Sequence, residues 1–573
     1  MRNYDRVNAP APEGIDSKRA HIIGGGVAGL SAAIALVTDA HMPAANVTVY
    51  DSLPVAGGSM DAAGAASSGY TSRGERELEA WMECLWYVCS KVPSLQRPGL
   101  TVLDETYLAN VNEPIYSHYR LMHHKGELYP PTGPLMSIHD AKRMAELLLT
   151  PEDELEGLSA ADWFSPDFTT SVFWYCWSTM LAFRDHHSLI EVKRYLARFM
   201  MYAPGVTHLH GILHTEFNEY DSVIKPMVVW LQSLGVQFQM GTTAIDIDLA
   251  DRDDDTVVTG LTLRDADGQR HLDLTRDDLV FLTNGSLTQN ATMGDTHTKA
   301  PMNTDTLDRG CFTLWEKLAA HDPKFGNPST FVSNTEKTNF ISFFPTITGD
   351  RSFFDYIEAE SGDRAGTGGG MSIIDSSWKL SFVLYNRYFP GQPDNVNVFW
   401  AYGQVTDVPG DYVKKPMREC TGAEMLAELL YHCGLEDRID DILTHASVST
   451  TMMPYITSQF MPRHVADRPK VIPDGCVNLA FIGQFVELPL DVVFTVETSV
   501  RTALMAVWGL TGLQKPMIPV YEPAYDLRVV VSNLKASLGI EEFSLSKVPR
   551  IVRSAPSVGL VAHFIHELPK LPV

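Results

Sequence analysis

The segment that most constrains the fold runs from residue 20 to residue 51. An apolar strand pattern leads into Gly24-x-Gly26-x-x-Gly29, a helix pattern rich in alanine and leucine follows, and a second strand pattern ends at Asp51. In such a unit the glycines permit a tight turn, close approach of the backbone to a pyrophosphate and close packing of helix on strand, while the terminal acid binds a ribose. The segment therefore predicts a dinucleotide-binding unit.

Strand patterns that return after residue 235 favour FAD over NAD as the nucleotide. A meander pattern is followed by an apolar strand with a glycine turn, and a last strand leads into a helix predicted over residues 495–510. NAD-binding domains rarely use a strand from so far along the chain, whereas flavin-binding folds close in this way. The strand patterns lie at 236–240, 244–248, 257–263, 279–285 and 477–484.

A chain of 573 residues is too long for one hydrophobic core, so we predict several domains. The predicted fold class is α/β, with a discontinuous, Rossmann-like FAD-binding domain, a mixed α+β substrate domain and a helical C-terminal segment. The predicted boundaries are an N-terminal arm at 1–15, the FAD-binding domain at 16–90, 205–300 and 470–515, the substrate domain at 91–204 and 301–469, and the C-terminal segment at 516–573.

The charge and the cysteine pattern exclude several classes of protein. A formal net charge of −25 argues against nucleic acid as a partner and predicts repulsion from anionic membranes. The seven cysteines include no Cys-x-x-Cys pair, and no apolar run approaches membrane-spanning length, so we expect reduced thiols in a cytoplasmic protein. His208, His210 and His214 lack the helix and the glutamate of a zinc hydrolase, so no metal is predicted.

Two local patterns fit either a structural or a catalytic role. Residues 72–75 have the spacing of a capping box, which predicts a helix with Glu77 in its first turn, where the helix dipole favours an acid. Tyr195 lies on the apolar face of a helix predicted near 189–200, so its buried phenol needs a partner. The residues alone favour the structural role for both.

Longer motifs point to a family. They occur in order across residues 13–525, and together they resemble the oleate hydratases, FAD-dependent fatty acid hydratases also called myosin-cross-reactive antigens. The motifs are RELE at 76–79, ECLW at 83–86, EVKRY at 191–195, FNEYDS at 217–222, TNGS at 283–286, KKPMRECTG at 414–422, MPYITSQF at 453–460, GQFVE at 483–487, FTVE at 494–497 and SVR at 499–501.

The resemblance implies redox-neutral chemistry. Water would add across the cis-9 double bond of oleic acid, or of a similar unsaturated fatty acid, to give a 10-hydroxy fatty acid, with FAD working best reduced, as FADH2. By position, Glu77 matches the family's glutamate that activates the water, and Tyr195 matches the tyrosine that protonates the alkene. Arg194 or a flavin edge could stabilise the phenolate, and the loop from Gly57 to Glu77 would link the nucleotide unit to the water-activating carboxylate.

The resemblance also assigns binding residues, with departures. Leu384 stands where the family has a threonine that holds the fatty acid carboxylate, and a nearby histidine of the family is lost. Phe217 replaces a tyrosine of the family. The predicted substrate-binding residues are therefore Asn386 and Tyr455. The predicted FAD-binding residues are Gly24, Gly26, Val27, Ala28, Gly29, Asp51, Ser52, Gly58, Ser59, Arg73, Asn284, Gly285, Ser286, Gly483, Gln484, Phe494 and Thr495.

Other functions stay open on the same scaffold. They are a fatty acid double-bond isomerase, a non-catalytic flavin-containing fatty acid binding protein and, more distantly, a flavin amine oxidase. The predicted partners are an unsaturated fatty acid and water, and the chain is expected to be a monomer or a homodimer. Near the C-terminus, Lys547, Arg550 and Arg553 lie among apolar residues, which predicts either peripheral membrane contact or a surface helix that closes the fold.

Overall fold

The computed structural model describes residues 9–74, 76–130, 135–252, 255–305, 311–368, 370–493 and 495–538. The β-strands of these residues are β1 (Arg19–Ile23), β2 (Val47–Asp51), β3 (Ala62–Ala65), β4 (Gly69–Ser72), β5 (Leu78–Glu79), β6 (Leu121–His123), β7 (Glu127–Tyr129), β8 (Ile212–Leu213), β9 (Gln237–Met240), β10 (Thr243–Arg252), β11 (Asp255–Asp265), β12 (Gly268–Asp273), β13 (Asp278–Thr283), β14 (Thr292–Gly294), β15 (Phe340–Thr348), β16 (Met371–Ile373), β17 (Leu380–Leu384), β18 (Val396–Gly403), β19 (Ala446–Met453) and β20 (Leu479–Ile482). The α-helices are α1 (Val27–Thr38), α2 (Glu83–Cys89), α3 (Val102–Asn112), α4 (Ile138–Leu149), α5 (Ala160–Trp163), α6 (Val172–Leu181), α7 (Leu189–Phe199), α8 (Lys225–Leu234), α9 (Cys311–His321), α10 (Ser329–Val332), α11 (Thr335–Thr338), α12 (Ser352–Ser361), α13 (Gly422–His432), α14 (Ile439–His445), α15 (Val496–Thr511) and α16 (Leu527–Leu538).

A five-stranded parallel sheet organises the nucleotide-binding part of the chain. Its strand order is β20-β13-β1-β2-β9, so strands far apart in the sequence lie side by side. Val280 pairs with both His21 of β1 and Leu479 of β20, which aligns the first unit with the closing strand. The central strands are almost entirely buried, as expected for a parallel sheet covered on its faces, and α1 packs against α15. The predicted Rossmann-like α/β fold class is confirmed.

A second, larger sheet forms the other half of the structure. Its eight strands follow the order β14-β19-β15-β18-β17-β16-β6-β7, and all its pairings except β16 with β6 are antiparallel. Helix α13 packs on this sheet through Met425, Leu426 and Leu429, which belong to the same apolar core as the strands. Helices α4 to α7 form a separate aromatic core, which contains most of the aromatic side chains of residues 163–183.

The helix predicted to start at Ser72 is wrong. Ser72 ends β4, and α2 begins only at Glu83. Distant residues explain the difference: the backbone N–H of Arg76 donates to Glu219 Oε1 at 2.8 Å, which fixes an extended segment. The buried Glu497 carboxylate accepts from the backbone N–H groups at the start of α2, so that helix is capped from α15 and not by a local box.

The structure describes one helix near the C-terminus, α16. None of the helices in the described ranges is both long and apolar enough to cross a bilayer. The basic residues Lys547, Arg550 and Arg553, on which the predicted membrane contact depends, lie outside the described residues.

Candidate functional site

A cavity of about 730 Å³ lies at the carboxyl ends of β1, β2, β13 and β20; we call it the nucleotide cavity. Its shape depends on glycine: Gly24 has a φ of +113°, and a Cβ there would lie 2.6 Å from Thr283 Oγ1. A Cβ at Gly29 would overlap the carbonyl oxygen of Gly24, so Gly29 permits the close packing of α1 on the turn. Helix α1 begins at Val27 on the cavity wall, and its free N–H groups suit a pyrophosphate.

Asp51 lies at the edge of the nucleotide cavity and is already held by its neighbours. Its Oδ2 accepts from Gly25 N at 2.7 Å, and its Oδ1 accepts from Leu53 N at 2.8 Å. Burial raises the pKa of Asp51, and these hydrogen bonds oppose that shift. The carboxylate is therefore held on the cavity wall at the strand end where dinucleotide-binding folds place the acid that binds a ribose.

Most predicted FAD-binding residues meet at the nucleotide cavity. Four of the predicted residues are exceptions. Gly29 acts in packing, and the buried side chain of Asn284 donates to the carbonyl of Phe485 at 2.9 Å and so holds the closing turn. Thr495 caps α15 and lines a second, smaller cavity, the one that contains Glu77. Phe494 lies outside the described residues. The predicted residues that line the cavity are Gly24, Gly26, Val27, Ala28, Asp51, Ser52, Gly58, Ser59, Arg73, Gly285, Ser286, Gly483 and Gln484.

Glu77 lines a second cavity of about 110 Å³, here named the Glu77 cavity. Its walls are mainly apolar and aromatic, with Phe340 and Trp400 among them, and Arg73 lines both this cavity and the nucleotide cavity. Burial raises the pKa of the Glu77 carboxyl to about 7, while the cation of Arg120 on the same cavity wall acts in the opposite direction. Glu77 therefore has a pKa suited to accepting a proton near neutral pH.

Tyr195 lies on α7, fully buried among aromatic rings. Its ring meets those of Phe183 and Phe460 edge-on, at centroid distances of 5.0 and 5.5 Å. It lines a third cavity of about 150 Å³, the Tyr195 cavity, and not the cavity of Glu77. The two cavities are neighbours, because the same four residues line both: Met180, Phe199, Tyr202 and Ile212.

Arg194 does not support the predicted stabilisation of a Tyr195 phenolate. Its guanidinium donates to both oxygens of Glu152, at 2.9 and 2.7 Å, and to Glu487 Oε1 at 2.6 Å. It also donates to the carbonyl of Leu488 at 3.1 Å. The charge of Arg194 is therefore directed to the carboxylates of Glu152 and Glu487.

Asn386 and Leu384 line a fourth cavity of about 80 Å³, the Asn386 cavity, which also includes Glu77 on its wall. Phe217 lies in the same lining. Tyr455 is placed differently: its hydroxyl donates to the carbonyl of Thr304 at 3.3 Å, and it lines none of the three smaller cavities. The structure therefore brings Asn386 to Glu77 but does not bring Tyr455 there.

Comparison with known proteins places the chain in a family. A family model described as the MCRA family matches residues 17–508. The chain belongs to the MCRA family. An oleate hydratase of Streptococcus pyogenes serotype M49 (strain NZ131) is 36% identical over 583 residues, which cover 99% of this chain and 98% of that relative. A linoleate hydratase of Lactiplantibacillus plantarum is 29% identical over 556 residues, which cover 89% of this chain and 96% of the relative.

The fold of this MCRA-family chain is also seen in a solved structure. Wild-type putrescine oxidase bound to putrescine matches with a TM-score of 0.50 at 13% identity, covering 86% of this chain and 99% of that one, which shows a shared fold alone. The resemblance drawn from the motifs is confirmed by the family match.

Sequence reasoning missed a polar group on the wall of the Glu77 cavity in this MCRA-family chain. The Tyr202 hydroxyl donates to Glu79 Oε2 at 2.9 Å, and Arg198 donates to Glu79 Oε1 at 2.7 Å. In an extended segment, residues two apart face the same side, so Glu79 would have been expected beside Glu77. That signal was hidden because the segment was predicted to be helical.

Proposed function

We propose that this chain is a fatty acid hydratase that adds water across the cis-9 double bond of oleic acid, or of a similar unsaturated fatty acid, to give a 10-hydroxy fatty acid. Its cofactor is FAD, held by the residues of the nucleotide cavity. The observation that carries the proposal is the Glu77 cavity, a mainly apolar space beside the nucleotide cavity with one carboxyl whose pKa is about 7. The names of the relatives, oleate hydratase and linoleate hydratase, agree with this chemistry.

Hydration of an isolated alkene needs an acid and a base in a space sheltered from bulk water. One alkene carbon must receive a proton while the oxygen of water bonds to the other carbon, and that water must lose a proton. We assign the base to Glu77 and the acid to Tyr195, so that solvent returns the proton from Glu77 to Tyr195 after each turnover. When bound, FAD would supply a polar ring to the site, and the hydration would transfer no net electrons.

This assignment requires the substrate to reach both residues. Glu77 and Tyr195 face neighbouring cavities, and the wall between these cavities includes Phe199, Tyr202 and Ile212. An apolar acyl chain would therefore have to displace part of this wall, which is formed mainly of apolar side chains. The Asn386 cavity, on the other side of Glu77, offers an amide that can hydrogen-bond to a substrate carboxylate.

One assay tests the proposal. Purified protein with FAD, a chemical reductant and oleate is incubated in water enriched in heavy oxygen, and the products are read by mass spectrometry. A single labelled hydroxyl supports the hydratase. A shifted double bond without label would indicate an isomerase, and unchanged oleate that co-purifies would indicate a carrier. Hydrogen peroxide formed when an amine replaces the oleate and the reductant is left out would indicate an oxidase.

Two further features of the proposal concern the molecule's surroundings. Contact with a membrane would involve the C-terminal segment at 516–573, whose basic residues Lys547, Arg550 and Arg553 lie outside the described residues, and it stays a prediction, as does a monomeric or homodimeric state. Vesicle flotation and light scattering of the full chain would test them.

A further inference from the structure

A second cluster of ionisable side chains lies away from all four cavities, where the loop around residue 411 meets the end of α13. We call Asp411, Glu428 and His432 the His432 cluster. The His432 Nε2 atom lies 3.2 Å from Asp411 Oδ2 and 3.4 Å from Glu428 Oε1. His432 is only 4% exposed, and its Nε2 makes no well-directed hydrogen bond. A buried ring nitrogen therefore faces the space between two carboxylates.

The distances within the cluster match the spacing between ligands of one metal ion. Zn²⁺ binds histidine nitrogen and carboxylate oxygen at about 2.0–2.1 Å, so neighbouring ligands of a tetrahedral ion lie about 3.3–3.4 Å apart. The two distances from Nε2 match that spacing. Glu428 and His432 are four residues apart on α13, which places both ligands on one face of the helix.

The charges of the cluster favour a cation. Two carboxylates, Asp411 and Glu428, face one imidazole, so acidic groups outnumber basic groups in the cluster. Over the part of the chain that the structure describes, His432 is the basic side chain within 4 Å of both carboxylates. Of the two lysines that follow Asp411, Lys414 donates to the backbone carbonyl of Asp411 and Lys415 pairs with Glu424.

Both carboxylates are held in place by a second layer of contacts, as metal ligands usually are. Glu428 accepts from the backbone N–H groups of Asp411 at 2.5 Å and of Val413 at 2.8 Å. Asp411 accepts from the backbone N–H and the hydroxyl of Ser377, both at 2.8 Å. The Asp411 side chain is 33% exposed, which gives an ion a route from solvent and leaves room for a water as fourth ligand.

We propose that Asp411, Glu428 and His432 form a Zn²⁺ site that fastens the loop around residue 411 to the end of α13. The ion would join the loop to the helix across a contact that otherwise depends on an imidazole between two carboxylates. The site is independent of the hydratase proposal, because none of its residues lines the cavities.

The test uses the full-length, FAD-loaded protein, freed of metal by a chelator and titrated with ZnCl₂ in a calorimeter. We expect one equivalent to bind, with a rise in melting temperature, and Co²⁺ to give the visible absorption of a tetrahedral ion. His432→Gln should weaken Zn²⁺ binding by more than about 100-fold and remove the rise in melting temperature. His124→Gln is the matched control: His124 belongs to another, exposed group of possible ligands with His123 and Glu127, and its loss should leave the tight site unchanged.

Asp411→Asn is the second variant, in case His432→Gln does not fold. It keeps the size of a partly exposed side chain and should weaken Zn²⁺ binding in the same way. Zn²⁺ binding of unchanged affinity in either variant would place the ion elsewhere and overturn the proposal. A folded wild-type protein that binds no Zn²⁺ and shows no rise in melting temperature would also overturn it, and would leave an imidazole that bridges the two carboxylates directly.

Discussion

Replacing Glu77 by glutamine tests whether its carboxyl is held in an environment that resists charge. The pKa of Glu77 lies at about 7 against an ordinary value of 4.5. A raised pKa means that between these two values the folded state binds more protons than the unfolded state, so stability falls as pH rises through this window. Each pKa unit is worth about 1.36 kcal/mol, so an ionised Glu77 above pH 7 lowers the free energy of unfolding by about 3 kcal/mol.

Glutamine stays neutral and avoids this loss. Glu77→Gln should therefore be about as stable as wild type near pH 4.5 and more stable by about 3 kcal/mol at pH 8. Urea unfolding of the FAD-free chain at several pH values measures the difference, with the m-value checked for constancy. The exposed Glu113 lines the Asn386 cavity, and Glu113→Gln is the control that should show no such pH dependence.

If the difference in free energy of unfolding between wild type and Glu77→Gln does not grow between pH 5 and pH 8, the reasoning is refuted, because Glu77 would then titrate as an ordinary surface acid.

The same pKa also predicts how activity depends on pH. If Glu77 accepts a proton from water, turnover by the wild type should fall as pH drops below about 7, and Glu77→Gln should keep FAD but lose most turnover at every pH.

Three further changes have expected outcomes. Tyr195→Phe should keep FAD, by absorbance of the purified protein, but lose most oleate hydration; wild-type rates would remove Tyr195 from the mechanism. Arg120→Met removes the cation that lowers the pKa of Glu77, so the acidic limb of the pH–rate profile should move to higher pH. An unchanged acidic limb would mean that Arg120 does not influence the pKa of Glu77. Gly29→Ala places a Cβ against the Gly24 carbonyl and should reduce FAD retention and lower the melting temperature, whereas a variant with normal FAD content would contradict the packing argument.

The nucleotide-binding half was predictable because its structure follows from local rules. Glycines at fixed spacing and a strand ending in Asp51 each have one physical explanation, and the predicted helices near 189–200 and 495–510 appear as α7 and α15. The environment of Glu77 was not predictable, since its extended segment is fixed by Glu219, which lies far away in the sequence. The separation of Glu77 and Tyr195 into neighbouring cavities likewise depends on packing between several segments.

Charged contacts on both sides of the site limit how a substrate can reach Glu77 and Tyr195 together. Glu487, four residues after Gly483 of the nucleotide cavity, is bound by Arg194 of α7 at 2.6 Å, and its other oxygen lies 3.0 Å from the fully buried Arg463. Breaking such a buried pair costs about 3–5 kcal/mol, so α7 and the closing turn are held together. The segment before Glu77 is held as well: the guanidinium of Arg73 lies 2.7 Å from Asp61 Oδ1, and the backbone N–H of Arg76 donates to Glu219 Oε1 at 2.8 Å. We infer that an acyl chain reaches both Glu77 and Tyr195 by displacing the apolar side chains of the wall that their two cavities share, and not by breaking the charged contacts on either side.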